Sequence, residues 1–408
     1  MRLAYLIHQD PRDRFGGAEV YAGHLARAAR DAGHEVLVIC RGDGKGEEVR
    51  EEVDDGIRYA VLDAQALMQP RKRFRFQESF DNPAAYIRIT SLLTDFGADH
   101  LHIHHFLMTS AGVAMWARQN DLGVTATLHD YWAFCHRITF QKPGGVPCDG
   151  PQRGVACRAC GKPEYNSWPG ILWQPVHAVG FAWRNLLLRR AYRAAHAVFV
   201  PSRAVLEAHR RHGFERANLV YLPYGLPASS PIPREGPRQP LVVGYLGRLA
   251  PEKGLETLID ATRLEPAFRL RIAGDGDPDY VSSLRQRAAG AAVEFAGGFD
   301  RHELPAILGA VDVVAVPSTW PENLPLAVLE AAQSGTPVLV SDLGGLAETP
   351  ALCGAKIVAP NTAEAWAAAL GGLAASAKAW RELQRGVGYD HRIQDDLAAH
   401  LRRGSEQP

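Results

Sequence analysis

The 408-residue chain carries no excess of either charge sign, since 45 Lys and Arg stand against 45 Asp and Glu. A zero balance supplies no global field for nucleic acid, so no nucleic-acid partner is expected. Long apolar runs are also missing. No stretch approaches the about 18 residues that a membrane-spanning helix needs. The opening Met1-Arg-Leu-Ala-Tyr-Leu-Ile-His8 has the pattern of a short strand rather than of a leader, and cytoplasmic residence is the expectation that follows. Cysteine is scarce, six in all, which excludes a disulfide scaffold. What is plentiful is apolar content, 46%. A chain of this length exceeds one ordinary core, so two domains of roughly 200 residues are expected.

The apolar pattern alternates between short β-branched runs and segments with apolar residues at steps of three and four. In the first half, strands are expected at Leu3 to Ile7, Glu35 to Cys40, Asp99 to His104, Val124 to Leu128 and Ala197 to Pro201. Helices are expected between them, and Arg41 to Asn82 reads as basic and irregular. Residues 131–170, rich in Gly, Pro and Cys, interrupt the pattern as an insertion. Residues 1–222 form the first domain. Residues 223–240, with six prolines, read as a linker. A second α/β domain spans 241–387, and a tail, 388–408, is expected to pack back on the first domain. The predicted fold class is α/β, two Rossmann-like domains facing each other across a cleft.

The segment Pro317-Ser-Thr-Trp-Pro-Glu-Asn-Leu-Pro-Leu-Ala-Val-Leu-Glu330 follows a strand pattern at Val311 to Val316 and opens a helix expected over Pro325 to Gln333. Glu322 then lies in the loop and Glu330 about two turns into the helix. The amides of Asn323 and Leu324 lie between the two carboxylates. Unpaired amides and a helix dipole attract phosphate, while carboxylates accept from hydroxyls. A nucleoside diphosphate sugar has that layout. At the end of the domain's first strand, Gly247-Arg-Leu-Ala-Pro-Glu-Lys-Gly254 places Arg248 and Lys253 where they can neutralise a leaving diphosphate. Gly274-Asp275-Gly276 has the look of a nucleotide turn, but Asp279 stands where a dinucleotide fingerprint needs Gly or Ala, which weakens a dehydrogenase reading.

Together, Gly247-Arg248 with Lys253, Gly274-Asp275-Gly276, Phe295-Ala-Gly297 and the Glu322 to Glu330 spacing resemble the retaining glycosyltransferases of family 4 (glycosyl transferases group 1), which have the GT-B fold. The resemblance extends over nearly the whole chain through Phe15-Gly-Gly-Ala-Glu19, His102-Ile-His104-His105, Thr127-Leu-His129-Asp130 and Val200-Pro-Ser202. It implies transfer of a hexosyl unit from a UDP- or GDP-type donor to an acceptor hydroxyl with retention, in cell-surface polysaccharide or glycolipid synthesis, without a catalytic metal. By the same resemblance Glu330 binds the ribose, Glu322 and His129 face the transferred sugar, and Arg248 and Lys253 hold the diphosphate. Gly16 and Gly17 close over it, and Gly247, Gly274, Asp275, Phe299, Asn323 and Leu324 complete the donor set. A sugar nucleotide epimerase of this fold, or an inactive sugar-nucleotide-binding protein, is the alternative.

Two features stand outside that reading. Cys135-x12-Cys148-x8-Cys157-x2-Cys160 suits a structural zinc, an iron–sulfur cluster or unligated thiols, one knuckle having the tight spacing of a metal site. From Phe181 to Arg216 eight arginines stand against two glutamates, with Trp168, Trp173 and Trp183 nearby, and Arg71-Lys-Arg-Phe-Arg-Phe76 is a second basic and aromatic segment. Such helices rest on anionic lipid, so peripheral contact with the inner face of the plasma membrane and a glycan or lipid-linked acceptor are expected.

Overall fold

The computed structural model describes residues 1–12, 16–42, 48–63, 67, 75–160 and 174–405. Phe15, Arg71 to Phe74, Trp168, Trp173 and 406–408 lie outside them. The chain divides into two compact units, one of Met1–Gly225 with Arg392–Pro408, the other of Leu226–His391.

In the first unit β1 (Arg2–Leu6), β2 (Glu35–Gly42), β3 (Val49–Asp54), β4 (Ile57–Asp63), β5 (His100–Ile103), β6 (Gly123–Thr127), β7 (Ala197–Val200) and β8 (Leu219–Tyr221) form one sheet in the order β3-β4-β2-β1-β5-β6-β7-β8. All its pairs are parallel except β3 with β4. Crossover helices α1 (Gly17–Asp31), α2 (Pro83–Phe96), α3 (Gly112–Gln119), α4 (Gln174–Ala194) and α5 (Arg203–His209) connect the parallel strands. Central strands β5 and β7 are buried at every residue, as parallel strands covered on both faces must be. The β3–β4 hairpin lies where the sequence reads as irregular. Its turn, Asp55-Gly56, takes positive φ at both positions (48° and 72°), the Asp-Gly signature of a two-residue hairpin. The charge-rich Val-Arg-Glu-Glu-Val-Asp of β3 masked the signal, because an edge strand with its outer face in water need not be apolar.

The second unit contains β9 (Leu241–Leu246), β10 (Phe268–Ala273), β11 (Val293–Gly297), β12 (Val313–Val316), β13 (Val338–Ser341) and β14 (Lys356–Val358), in the order β11-β10-β9-β12-β13-β14. Every pair is parallel. Winding runs one way from β9 to β11 and the other way from β12 to β14, so β9 and β12 flank a switch point whose carboxyl ends leave a crevice. The helices α6 (Leu255–Leu264), α7 (Pro278–Arg287), α8 (Leu304–Gly309), α9 (Leu326–Gln333), α10 (Ala363–Ala375) and α11 (Ala377–Gly386) cover the sheet. Trp366 and Trp380 are fully buried in this core.

Residues 226–240 are bound to the second unit rather than spanning free. Arg234 donates to the carbonyls of Val311 (2.5 Å) and Leu308 (2.7 Å) and to Thr336 Oγ1 (2.6 Å), and Arg238 pairs with Asp312 at 2.7 Å. Proline-rich backbone donates few amide hydrogens, and here the arginine side chains supply the contacts instead.

The last helix, α12 (Ile393–Ser405), packs on α1 and β6 of the first unit. Buried Asp396 accepts from Tyr21 Oη and from the Gly225 amide, both at 2.7 Å, and the His400 ring stacks on His102 at 4.2 Å. Among the described residues no helix is long and apolar enough to cross a membrane.

Removing the Asp396 carboxylate strands two buried donors. Asp396→Ala should destabilise the first unit by about 2–4 kcal/mol. Asp395→Ala, on the exposed side of the same helix, should stay within about 0.5 kcal/mol. Urea denaturation of the full chain, followed by hydrogen exchange in each unit, measures both.

Candidate functional site

Several of the residues expected on the donor side gather at the β9/β12 switch point. Lys253 Nζ donates to Glu322 Oε1 at 2.6 Å, and Ser318 Oγ donates to the same oxygen at 2.6 Å. Glu322 is buried, and its backbone carbonyl is held by the Gly345 amide at 2.8 Å. The Lys253 ammonium also lies 5.2 Å from the centroid of the Trp320 ring. The cation is thus positioned by a carboxylate and an aromatic face before any ligand arrives. Arg248 is the more exposed cation; its Nη2 donates to Glu252 Oε1 at 2.6 Å, and its carbonyl accepts from Tyr245 Oη at 2.7 Å. Burial, reinforced by the charge of Glu322, pushes the Tyr245 phenol well above its ordinary range, so it stays a neutral donor.

Helix α9 begins at Leu326, with Pro325 extended at its N-cap. Pro325 is therefore outside the helix, and Glu330, its fifth residue, lies little more than one turn in rather than two. Asn323 and Leu324 precede the cap and are both buried. Glu330 is gripped by Arg301, which donates through Nη2 to Oε1 and through Nη1 to Oε2 at 3.4 Å. That bidentate clamp fixes the carboxylate plane.

Gly247 and Gly274 end the neighbouring strands β9 and β10. A side chain at Gly274, where φ is +153°, would bring its Cβ to 1.8 Å from the Gly247 carbonyl. The two loops run side by side, joined by Leu249 N to Asp275 O at 2.8 Å. Asp275 is exposed and Phe299 half-buried, both in loops at the carboxyl edge of the sheet.

The first unit holds a separate polar cluster at the carboxyl ends of β1, β5 and β6. Buried His129 bonds Tyr224 Oη through Nδ1 (2.7 Å) and His104 Nδ1 through Nε2 (3.0 Å). Burial drives His129 well below the usual imidazole range and His104 adds to it, while Asp130 opposes, so the ring is neutral near pH 7. Asp130 lies in the loop that follows β6. Its Oδ1 accepts from the Trp132 amide at 2.6 Å in a turn, and its Oδ2 lies 3.4 Å from His105 Nε2. Gly16 is the extended N-cap of α1 and Gly17 its first residue. In the first turn Glu19, itself buried, pairs with His8 at 3.2 Å.

The four clustered cysteines Cys135, Cys148, Cys157 and Cys160 line one small cavity in the insertion, and none forms a disulfide.

Comparison with known proteins agrees with the topology. Residues 16–225 match the family described as Glycosyl transferase 4-like domain, and residues 232–384 match Glycosyl transferases group 1. The chain belongs to the group 1, family 4-type glycosyltransferases. This glycosyltransferase is 27% identical over 371 residues to a glycogen synthase of Mycobacterium tuberculosis, covering 85% of the chain and 80% of that protein. It is 24% identical over 400 residues to an MMP alpha-(1->4)-mannosyltransferase of Mycolicibacterium hassiacum, covering 94% and 92%. A GDP-mannose-dependent alpha-mannosyltransferase of M. tuberculosis is 26% identical over 324 residues, covering 78% and 72%. The solved structure of sucrose-phosphate synthase from Thermosynechococcus elongatus superposes with TM-score 0.69 at 22% identity, covering 98% of each chain. Anabaena HepE, solved with UDP-glucose, superposes with TM-score 0.62 at 19% identity, covering 98% and 99%. The fold is GT-B.

Sequence reasoning missed Ser318, Trp320 and Arg301 in the second unit of this glycosyltransferase, and Tyr224 in the first. Ser318 and Trp320 sit inside the stretch that drew attention to Glu322, so proximity was the available signal. Arg301 is 29 residues from its partner, a pairing that only the sheet order brings about.

Histidine is concentrated in the first unit, where His8, His100, His102, His104, His129, His209 and His400 are all lowered from 6.5, burial being the largest cause. Each would take up a proton near pH 6.5 when unfolded but resists until lower pH when folded, down to about 4 for His100 and His209. Stability of this unit should therefore fall as pH drops below about 6.5, each group contributing up to about 1.4 kcal/mol per pH unit. None of these seven buried rings lies in the second unit, so the slope they cause is expected in the first. Urea midpoints from pH 7.5 to 5, resolved by unit with hydrogen exchange, check the difference.

Proposed function

We propose that this glycosyltransferase transfers a hexosyl unit from a UDP- or GDP-type sugar to an acceptor hydroxyl with retention of configuration, in the synthesis of a cell-surface polysaccharide or glycolipid. The observation carrying the proposal is Lys253, pre-positioned by Glu322 at the switch point, with the clamped Glu330 on the next helix. In this reading Glu330 accepts from the ribose hydroxyls. Lys253 and Arg248 meet the diphosphate, where charge develops as the glycosidic bond breaks. Glu322, adjacent to Lys253, selects among donor sugars. On the first unit, neutral His129 exchanges its bond to Tyr224 or to His104 for one to the transferred sugar, and the amides at Gly16 and Gly17 serve phosphate. With no covalent nucleophile assigned, the departing phosphate oxygen takes the acceptor proton as the acceptor oxygen attacks the same face. The protein supplies positioning and electrostatic stabilisation. No catalytic metal has a part in this scheme. The relatives' names favour both donor types, a GDP-mannose-dependent mannosyltransferase on one side and a UDP-glucose complex on the other.

Lys253→Ala should lower kcat by about 10²–10³-fold. Its folding cost should be smaller, about 1–3 kcal/mol, because Ser318 still bonds Glu322. The assay scans UDP- and GDP-sugars and separates glycosylated acceptor from isomerised donor. Near-normal turnover of the variant removes Lys253 from the mechanism. Isomerised donor without transfer identifies an epimerase, and binding without either product identifies an inactive sugar-nucleotide-binding protein.

Peripheral attachment to anionic membrane belongs to the same proposal. On α4, Val176 (56% exposed), Val179 (69%), Trp183 (42%) and Leu186 (42%) step along one helix face. Exposed Arg190 and Arg193 continue that face. An apolar stripe running into two cations fits an acidic lipid surface. The full chain should sediment with vesicles containing phosphatidylglycerol at low salt, and Val179→Asp with Trp183→Asp should abolish this. Absence of binding at low salt refutes membrane attachment.

A further inference from the structure

The insertion between β6 and α4 poses a packing problem. Its described part, up to 160, contains no strand or α-helix, only single 3-10 turns at Pro143–Gly145, Gln152–Gly154 and Ala156–Ala159. Its beginning is anchored by aromatic contact, with Phe134 and Phe140 packing on each other and on His212. Beyond Gln141 no large apolar side chain is buried; Val146 (52%) and Val155 (47%) are exposed, and the buried positions are Gly150, Pro151, Gly154, Cys157 and Cys160. A segment with so little apolar area to remove from water needs another staple.

The thiols are where such a staple would act. Cys135, Cys148, Cys157 and Cys160 come from three separate turns and line a single cavity. Backbone amides meet two of the sulfurs. Cys135 receives the amides of Arg137 and Phe140, and Cys148 Sγ accepts from the Gly150 amide at 3.4 Å. Cationic side chains face the cluster: Arg184 acts on Cys135 and Cys157, and Arg137 and Lys142 act on Cys160. Arg184 is itself buried, donates to the Trp132 carbonyl at 2.5 Å and lies 4.4 Å from the Trp132 ring centroid. Four thiolates around a divalent ion would carry a net double negative charge, which nearby cations offset.

We infer that Cys135, Cys148, Cys157 and Cys160 bind one zinc ion tetrahedrally, and that this ion holds the insertion together. Binding exchanges each S–H proton, released to solvent, for a zinc–sulfur bond. Among the described residues the group of three candidate ligands drawn within 4.8 Å of one another is the exposed Asp300, His302 and Glu303, not the cysteines. The sulfurs therefore converge on the cavity without being closed to coordination distance. The ion supplies the attraction that closes the set. The site is remote in sequence from the donor residues and its role is structural, so it is independent of the proposed reaction.

Metal analysis of the full chain, expressed in zinc-supplemented medium and purified without chelators or a polyhistidine tag, should find about one zinc per chain. Titration with a mercurial in the presence of a chromogenic zinc chelator should release that zinc as the four thiols react. Cys157→Ser with Cys160→Ser should lose the ion, whereas Cys353→Ser, in the second unit, should retain it. The wild-type titration does not depend on the variants folding. Zinc far below one per chain, or iron with visible cluster absorbance in its place, overturns the assignment.

Discussion

Reversal of winding between β9 and β12 is the constraint on which the second unit depends. Successive strands on one side of β9 send their crossovers over one face of the sheet, and those beyond β12 send theirs over the other. Neither crossover covers the carboxyl ends of these two strands. The loops leaving them, Gly247 to Gly254 and Pro317 to Pro325, must therefore satisfy their own polar groups. They do so against each other: Lys253 bonds Glu322, and the Thr319 amide bonds the Glu252 carbonyl at 2.9 Å. The Lys253 ammonium is thereby held in place by a carboxylate on one side and an indole face on the other.

The first unit solves a different problem. Its central strands carry histidines where a parallel sheet usually carries valine or isoleucine, and each must be satisfied as a neutral ring. Threonines on the adjacent strand do this in part, His100 and His102 both bonding Thr125 and His102 also bonding Thr127. Tyr224 and His104 do it for His129. The cluster is a chain of neutral donors and acceptors, and its polarity is set by which ring nitrogens hold protons.

Much of this was legible in the sequence, and the reasons differ by element. The buried parallel strands were visible because both of their faces are apolar. The pair Glu322 and Glu330 stood out because a strand, a loop and a helix start follow one another within a few residues. The β3–β4 hairpin was hidden, since an edge strand is free to be charged. The start of α9 was misplaced because Pro325 is compatible with either the cap or the first turn, and only the backbone angle distinguishes them. Arg301 was invisible because its partner belongs to a helix beyond the next strand. The Arg234 contacts were masked by the prolines around them, whose composition suggests a free spacer.

Helix α12 has a bearing on how the chain is made. The residues that complete the core of the first unit, Asp396 and His400 among them, are synthesised only after the whole second unit. Domains generally fold in the order in which they emerge. Here the earlier half waits, with Tyr21 lacking Asp396 and His102 lacking His400, until α12 leaves the ribosome. The later half lies in one unbroken stretch and can close first. A message truncated shortly before residue 392 would thus yield a finished second unit and a first unit missing part of its interior, although every strand of both sheets had been translated.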